Sequence, residues 1–197
     1  NEFSRGINSI PSSDANYTDN YKHIRRTNLL LQNAEAYAKP EDIKQYIGEA
    51  YFFRAYSYFD LLQLYGDVII TKKPLDITDP EMKVKRNDRS EVVDLIIDDL
   101  NHAVENLPAF KELTTEEEGR ISKEGAQAFL SRVALYEGTW QKSRNGNQNT
   151  QRSANLLDIA AKAARTVIDA KYGYTFRLFG TDSETKILGD SAQKYMF

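Results

Sequence analysis

The stretch Ala50-Tyr51-Phe52-Phe53-Arg54-Ala55-Tyr56-Ser57-Tyr58-Phe59 restricts the fold more than any other feature of this chain. It lies in a segment of helical period running from about Glu41 to Leu64, and it is apolar or aromatic on almost every side. Such a helix must be covered on several sides, so it does not belong to the surface of a small two-layer domain. Tyr65-Gly66-Asp67 closes it, with Gly66 able to take a left-handed conformation beyond the last turn. Val68 to Thr71 then reads as a short extended piece.

The remaining segments are helical too. The first runs from about Tyr17 to Ala38, with Ile24, Asn28, Leu31 and Glu35 on one side. Lys39-Pro40 ends it, because the residue before a proline is pushed out of helical geometry. A loop from Lys72 to Asp88 carries Pro74 and Pro80. Asp88 and Glu91 fit a capping box for a third helix, with Ser90 as the alternative cap. Its stripe is Val93, Ile96, Ile97, Leu100, Ala103, Val104 and Leu107, and Pro108 stops it. Ser122 fits the N-cap of a fourth helix reaching about Trp140. A fifth runs from about Ser153 to Lys171, with Gly173 placed as its C-terminal cap. Tyr174 to Gly180 reads as extended.

The second and fourth helices resemble each other at an offset of 77: Gly48 with Gly125, Phe52 with Phe129, Phe53 with Leu130, Phe59 with Tyr136. Two helical hairpins of roughly 34–40 residues would fill that offset, the size of a tetratricopeptide unit. The expected fold is therefore mainly all-α: a tetratricopeptide-like α-solenoid of helical hairpins with irregular loops. The helical domain spans 17–173. An irregular segment, 1–16, precedes it, and 174–197 reads as the start of a truncated C-terminal region.

Composition removes several function classes. Lys and Arg total 26 against 29 Asp and Glu, a formal charge of −3, which leaves no basic footprint for nucleic acid. With no Cys, thiolate zinc sites, a cysteine nucleophile and a lipidated cysteine within these residues are excluded. No P-loop, G-x-G-x-x-G, G-x-S-x-G or H-E-x-x-H occurs, so neither cofactor, metal nor catalytic residues are expected.

Few polar residues call for chemistry. His23 and His102 are the only imidazoles, and Asp98 and His102, spaced i, i+4, read as a solvated helix face. The charge of Arg54, in an apolar helix, demands a carboxylate; Glu49 and Asp60, or an acid on a neighbouring helix, are the candidates, and a structural pair with Glu49 is the expectation. The basic residues Lys72, Lys73, Lys83, Lys85, Arg86 and Arg89 alternate with acids and read as a solvated loop. Most of the aromatic residues lie on helical stripes and belong to the core. Tyr17, just before the first helix, and Trp140, beside a polar loop, are the exceptions and the candidate ligand-binding residues.

Taken in order, these segments resemble the SusD/RagB family of Bacteroidota nutrient-binding outer-membrane lipoproteins. The residues that carry the resemblance are Tyr21, Ile24, Asn28 and Leu30; then Gly48-Glu49-Ala50, Arg54-Ala55 and Tyr58-Phe59 with Tyr65-Gly66-Asp67-Val68; then Arg89-Ser90-Glu91-Val92 with Asp99-Leu100 and Leu107-Pro108; and finally Gly119-Arg120-Ile121-Ser122 with Gly125-Ala126, Leu135-Tyr136, Gly138 and Trp140. Ile69 departs from the family's usual proline, Tyr17 stands where tryptophan is common, and Gly125 replaces a frequent alanine.

The resemblance implies a non-catalytic protein that captures oligosaccharide or another nutrient at the cell surface for a TonB-dependent transporter of the SusC type. Membrane attachment would come only through a lipid anchor absent from this chain. It also implies a C-terminal half, beyond these residues, that supplies much of the ligand pocket. The alternative is a tetratricopeptide-type scaffold that binds a peptide or partner protein in a groove.

Overall fold

The computed structural model describes residues 6, 12–117, 119–144 and 150–176. Five helices account for most of them: α1 (Ala15–Glu35), α2 (Lys44–Tyr65), α3 (Arg89–Asn106), α4 (Lys123–Arg144) and α5 (Thr150–Ile168). Each packs on the next in chain order. Contacts between opposite ends show that neighbours run antiparallel: Tyr17 of α1 meets Tyr65 of α2, Gly48 of α2 meets Leu107 beyond α3, and Gly138 of α4 meets Leu157 of α5. The expected all-α stack of helical hairpins is the fold observed.

The pseudo-repeat joins helices that touch. Phe52 and Phe59 of α2 both pack on Phe129 of α4 with ring centroids 5.5 Å apart, and Phe59 meets Tyr136 edge-on at 5.4 Å. The matched aromatics thus form rungs between two parallel helices of successive hairpins. Only α3 lies between α2 and α4, so the offset of 77 is one hairpin lengthened by the connections 66–88 and 107–122, not two hairpins.

The aromatic helix α2 is covered by α1, α3 and α4, and Ala55, Tyr58, Leu61 and Leu62 are wholly buried. It is thus covered on several sides, as expected, while its fourth flank is open. Phe53 and Tyr56 remain 51% and 46% exposed, shielded in part by each ring's neighbour: Phe53 on Phe52, Tyr56 on Phe129.

Local chemistry sets the helix ends. Asp14 caps α1 by accepting from the Asn16 N–H at 2.9 Å, and the helix stops at Glu35, short of Ala38. Pro40 opens a short 3-10 turn instead of ending α1. At α3 the Glu91 carboxylate accepts from the Asp88 N–H at 3.2 Å, while the Glu91 and Val92 N–H groups bond the Asp88 carbonyl. Ser122 accepts from Gly125 at the start of α4, as expected, and that helix continues past Trp140 to Arg144. Gly66 takes a positive φ of 74°.

The cap of α5 differs from expectation. Ala170, not Gly173, is the left-handed residue that closes the helix, at φ 51°. The Ala170 N–H bonds the Val167 carbonyl and the Lys171 N–H bonds that of Thr166, the paired closure of a Schellman motif. Gly173, at φ 82°, serves the next turn, where its N–H bonds Ala170. Of the extended stretch expected after it, 174–176 has no regular structure and 177–180 lies outside the described residues.

Candidate functional site

Buried charges link the helices. Arg54 is 6% exposed and donates through Nε and Nη2 to both oxygens of Asp99, at 2.8 and 2.6 Å. Its Nη1 donates to Asn28 Oδ1 at 2.8 Å. The partner of Arg54 is therefore an acid on the neighbouring helix α3, and the expected pair with Glu49 does not form. Glu49 faces away and binds Arg120 through two bonds of 2.7 and 2.8 Å. The reason is helical phase: Glu49 and Arg54 lie five residues apart, about 140° around the helix from one another. Burial pushes the Asp99 carboxyl above its ordinary value, and the Arg54 hydrogen bonds oppose that rise without cancelling it.

The residues behind the family resemblance are largely each other's partners. Arg54 joins Asp99 and Asn28, and Glu49 joins Arg120. Arg89 binds the fully buried Glu137 at 2.8 Å, and its backbone N–H donates to Asp67. These charges cross-link helices; none of them is a reactive group left free in a cleft.

A cavity of about 300 Å³ lies between the N-terminal half of α1 and the segment following α2. Asp14 ties the start of α1 to the end of α2: Oδ1 caps α1, and Oδ2 accepts from the Tyr65 hydroxyl at 2.6 Å. That bond raises the Tyr65 pKa to about 12 and holds the Asp14 carboxyl below its ordinary value. Tyr17, Tyr21 and Arg25, spaced i, i+4, i+8, bring one face of α1 into the cavity wall. The Tyr17 ring sits 4.8 Å from Tyr21 and 5.2 Å, edge-on, from Tyr65. Burial pushes the Tyr21 hydroxyl far above its usual range, and that group donates to the Ile69 carbonyl at 2.7 Å.

The opposite wall is a strap that bends at Lys72 and Lys73, of which Ile69, Thr71, Lys73 and Leu75 line the cavity. Before the bend the side chains alternate as in an extended chain, and Val68 is correspondingly buried on the other side. Lys73 is paired with Glu81 at 2.7 Å on the rim, beside Met82. The arrangement offers aromatic and aliphatic surface with hydrogen-bonding groups at its edges. It suits the binding of a ligand with apolar C–H faces and polar margins. Among the described residues no group of three His, Cys, Asp or Glu is placed to hold a metal ion.

Of the two candidate ligand residues, Tyr17 lines this cavity and Trp140 does not. Trp140 lies under two guanidinium groups, Arg89 at 4.2 Å and Arg144 at 4.7 Å from its ring centroid. The polar loop 145–149 beside it is outside the described residues. His102, read as part of a solvated face, is stacked on Tyr51 at 4.9 Å and lies 3.5 Å from Glu105. Sequence reasoning missed Tyr21, Arg25 and the strap beyond Thr71. No alternation marks the strap in sequence: Ile69 and Ile70 are both apolar, and Lys72 and Lys73 both charged.

A family model described as starch-binding associating with outer membrane matches residues 7–135. A SusD-like protein of Formosa agariphila is 33% identical over 133 residues, 66% of this chain and 25% of that protein. One from Bacteroides ovatus is 29% identical over 123 residues, 62% of this chain and 20% of that protein. The matched stretch thus spans a quarter or less of these relatives. Among solved structures, a laminarin-binding SusD-like protein is similar at TM-score 0.69 and 26% identity, over 97% of this chain and 39% of that one. A SusD-like protein from Bacteroides fragilis gives TM-score 0.67 and 27% identity, over 93% and 32%. No helix among the described residues is long and apolar enough to cross a membrane. With the family model covering well over half of its residues, this chain belongs to the SusD-like family.

Proposed function

We propose that this chain is the tetratricopeptide-like part of a non-catalytic surface protein that captures oligosaccharide and passes it to a TonB-dependent, SusC-type outer-membrane transporter. The protein is held at the outer membrane by a lipid anchor. The observation that carries this reading is the likeness of 97% of the chain to a laminarin-binding protein of the same family. The cavity agrees with it. Tyr17 supplies an aromatic wall for the C–H face of a sugar ring, and the strap and α1 supply polar edges. Trp140 is the second ligand-binding candidate, away from this cavity, and the rest of the pocket comes from the remainder of the longer protein.

The test is isothermal titration of the full-length protein with a glycan panel that includes laminarin, beside a screen of chromogenic glycosides. Binding heat from at least one glycan and no hydrolysis are expected. Silence across the panel, or turnover of a glycoside, refutes the reading.

A further inference from the structure

The strap between Val68 and Leu75, which bends at Lys72 and Lys73, belongs to no sheet among the described residues. Among the described residues its one ladder contact is the bridge between Val68 and Asn87. Side chains do the work that a neighbouring strand would do. The carbonyls of Ile69, Thr71, Lys73 and Leu75 accept from Tyr21, Asn28 and Arg25, which all lie on α1. The Asn28 amide alone serves two of them, Thr71 at 2.9 Å and Lys73 at 3.3 Å. From α2, the Tyr58 hydroxyl accepts from the Thr71 N–H at 2.7 Å and donates to the Thr71 carbonyl at 3.2 Å. The Ile70 N–H donates to Asn87 Oδ1 at 2.9 Å.

These donors are fixed in turn. Asn28 is 1% exposed, and its oxygen is held by Arg54, whose other two bonds go to Asp99. That bond orients the Asn28 amide, so the nitrogen has to face the strap. A path of buried polar groups thus runs from α3 through α2 and α1 to the backbone of the residues that line the cavity.

We propose that Asn28 and Tyr58, with the Arg54–Asp99 pair behind them, are positioning residues that hold the strap in the register forming the cavity wall. None of them lines that cavity. They act through Thr71 and Lys73, whose side chains do. The consequence for ligand capture rests on the glycan-binding reading above. A wall preset in this way spares the ligand the cost of ordering it on binding.

Hydrogen exchange in the full-length protein tests this without a ligand. Asn28→Asp keeps an acceptor for Arg54 and removes both donors to the strap. Tyr58→Phe keeps the ring and removes the acceptor of the Thr71 N–H. In each, the amides of Ile70 and Thr71 should exchange at least about fivefold faster, the low end of what an unpaired buried group costs. Amides in the core of α4 should keep their rates, because a local opening does not reach them. A general loss of stability would raise all of them by the same factor. Equal acceleration everywhere, or an unchanged strap, overturns the proposal. Should Asn28→Asp fail to fold, Tyr58→Phe decides alone.

Titration of wild type and variants with laminarin reads the consequence. Weaker binding in the variants supports the role of the wall, and equal binding with a loosened strap refutes it. A wild type that binds no glycan, with the strap loosened in both variants, supports the positioning assignment and overturns only the glycan reading.

Discussion

The buried pair of Arg54 and Asp99 gives the sharpest stability prediction. Asp99 is 1% exposed and Arg54 6%, and three bonds of 2.6 to 2.8 Å satisfy the guanidinium. Asp99→Leu removes two of those three and leaves a cation in an apolar helix with the Asn28 carbonyl as its remaining hydrogen-bond acceptor and the Tyr51 ring beside it. Breaking a buried pair from one side costs about 3–5 kcal/mol, because the remaining charge is desolvated without compensation. Against a total stability of roughly 5–15 kcal/mol, that is a large share. In urea, with a slope of about 2 kcal/mol per molar, the unfolding midpoint should fall by about 1.5–2.5 M. The control is the double variant Arg54→Met with Asp99→Leu. It removes both charges, and replacement of a buried pair by well-packed apolar side chains is often neutral or better. The double variant should therefore recover most of the loss, short of wild type because Asn28 loses its partner. A single variant that shifts the midpoint by less than about 0.5 M, or a double variant no better than the single, would refute the reasoning.

Three further outcomes follow from local geometry. A Cβ at Gly48 would stand 2.9 Å from both the Leu107 nitrogen and Cγ, so Gly48→Ala should destabilise by about 1–3 kcal/mol in thermal unfolding, through the α2–α3 contact. Ala170 holds a left-handed φ of 51° that costs an L side chain about 1 kcal/mol, so Ala170→Gly should raise the melting temperature by a few degrees. The Tyr65 hydroxyl, raised to about 12 first by its bond to Asp14, should titrate nearer 10 in Asp14→Asn, as read by carbon-13 tyrosine spectra. The sign at each end of the pH scale is fixed by the two shifts. The Tyr65 contribution is complete below its unfolded value near 10 and is lost as pH rises through about 12. The Asp14 contribution is complete above its unfolded value near 3.8 and is lost as pH falls through its lowered folded value.

The helices were legible because periodicity is local. The stripe from Val93 to Leu107 and the caps at Asp88 and Ser122 need no knowledge of the neighbours. Where the reading failed, tertiary contacts decided. A proline at 40 was compatible with ending α1, yet it opens a 3-10 turn. Gly173 was the obvious left-handed residue, yet the closure of α5 falls on Ala170, where two carbonyl bonds outweigh a modest backbone strain. The repeat at 77 was real as a pattern of side chains and wrong as a count of hairpins, because loop length leaves no trace in helical phase.

The site was less legible, for a physical reason. A strand in a sheet announces itself through neighbours that also alternate; the strap has none. Its partners are Tyr21, Arg25 and Asn28 on a helix about fifty residues earlier, and they read as ordinary members of helical faces until the carbonyls they serve are known. Arg54 shows the same limit. That a cation in an apolar helix needs an acid is elementary electrostatics, but sequence leaves Glu49, Asp60 and any acid on a neighbouring helix as candidates. The pairing with Asp99 depends on how α2 and α3 cross, and Glu49 is itself committed to Arg120 across the stack. Charges buried between helices therefore expose the need for a partner in sequence and its identity only in three dimensions. The strap extends that rule to backbone carbonyls: a segment with no strand beside it, in a wall only partly open to water, must borrow its donors from side chains, and those donors are where substitutions will be felt at the cavity without touching it.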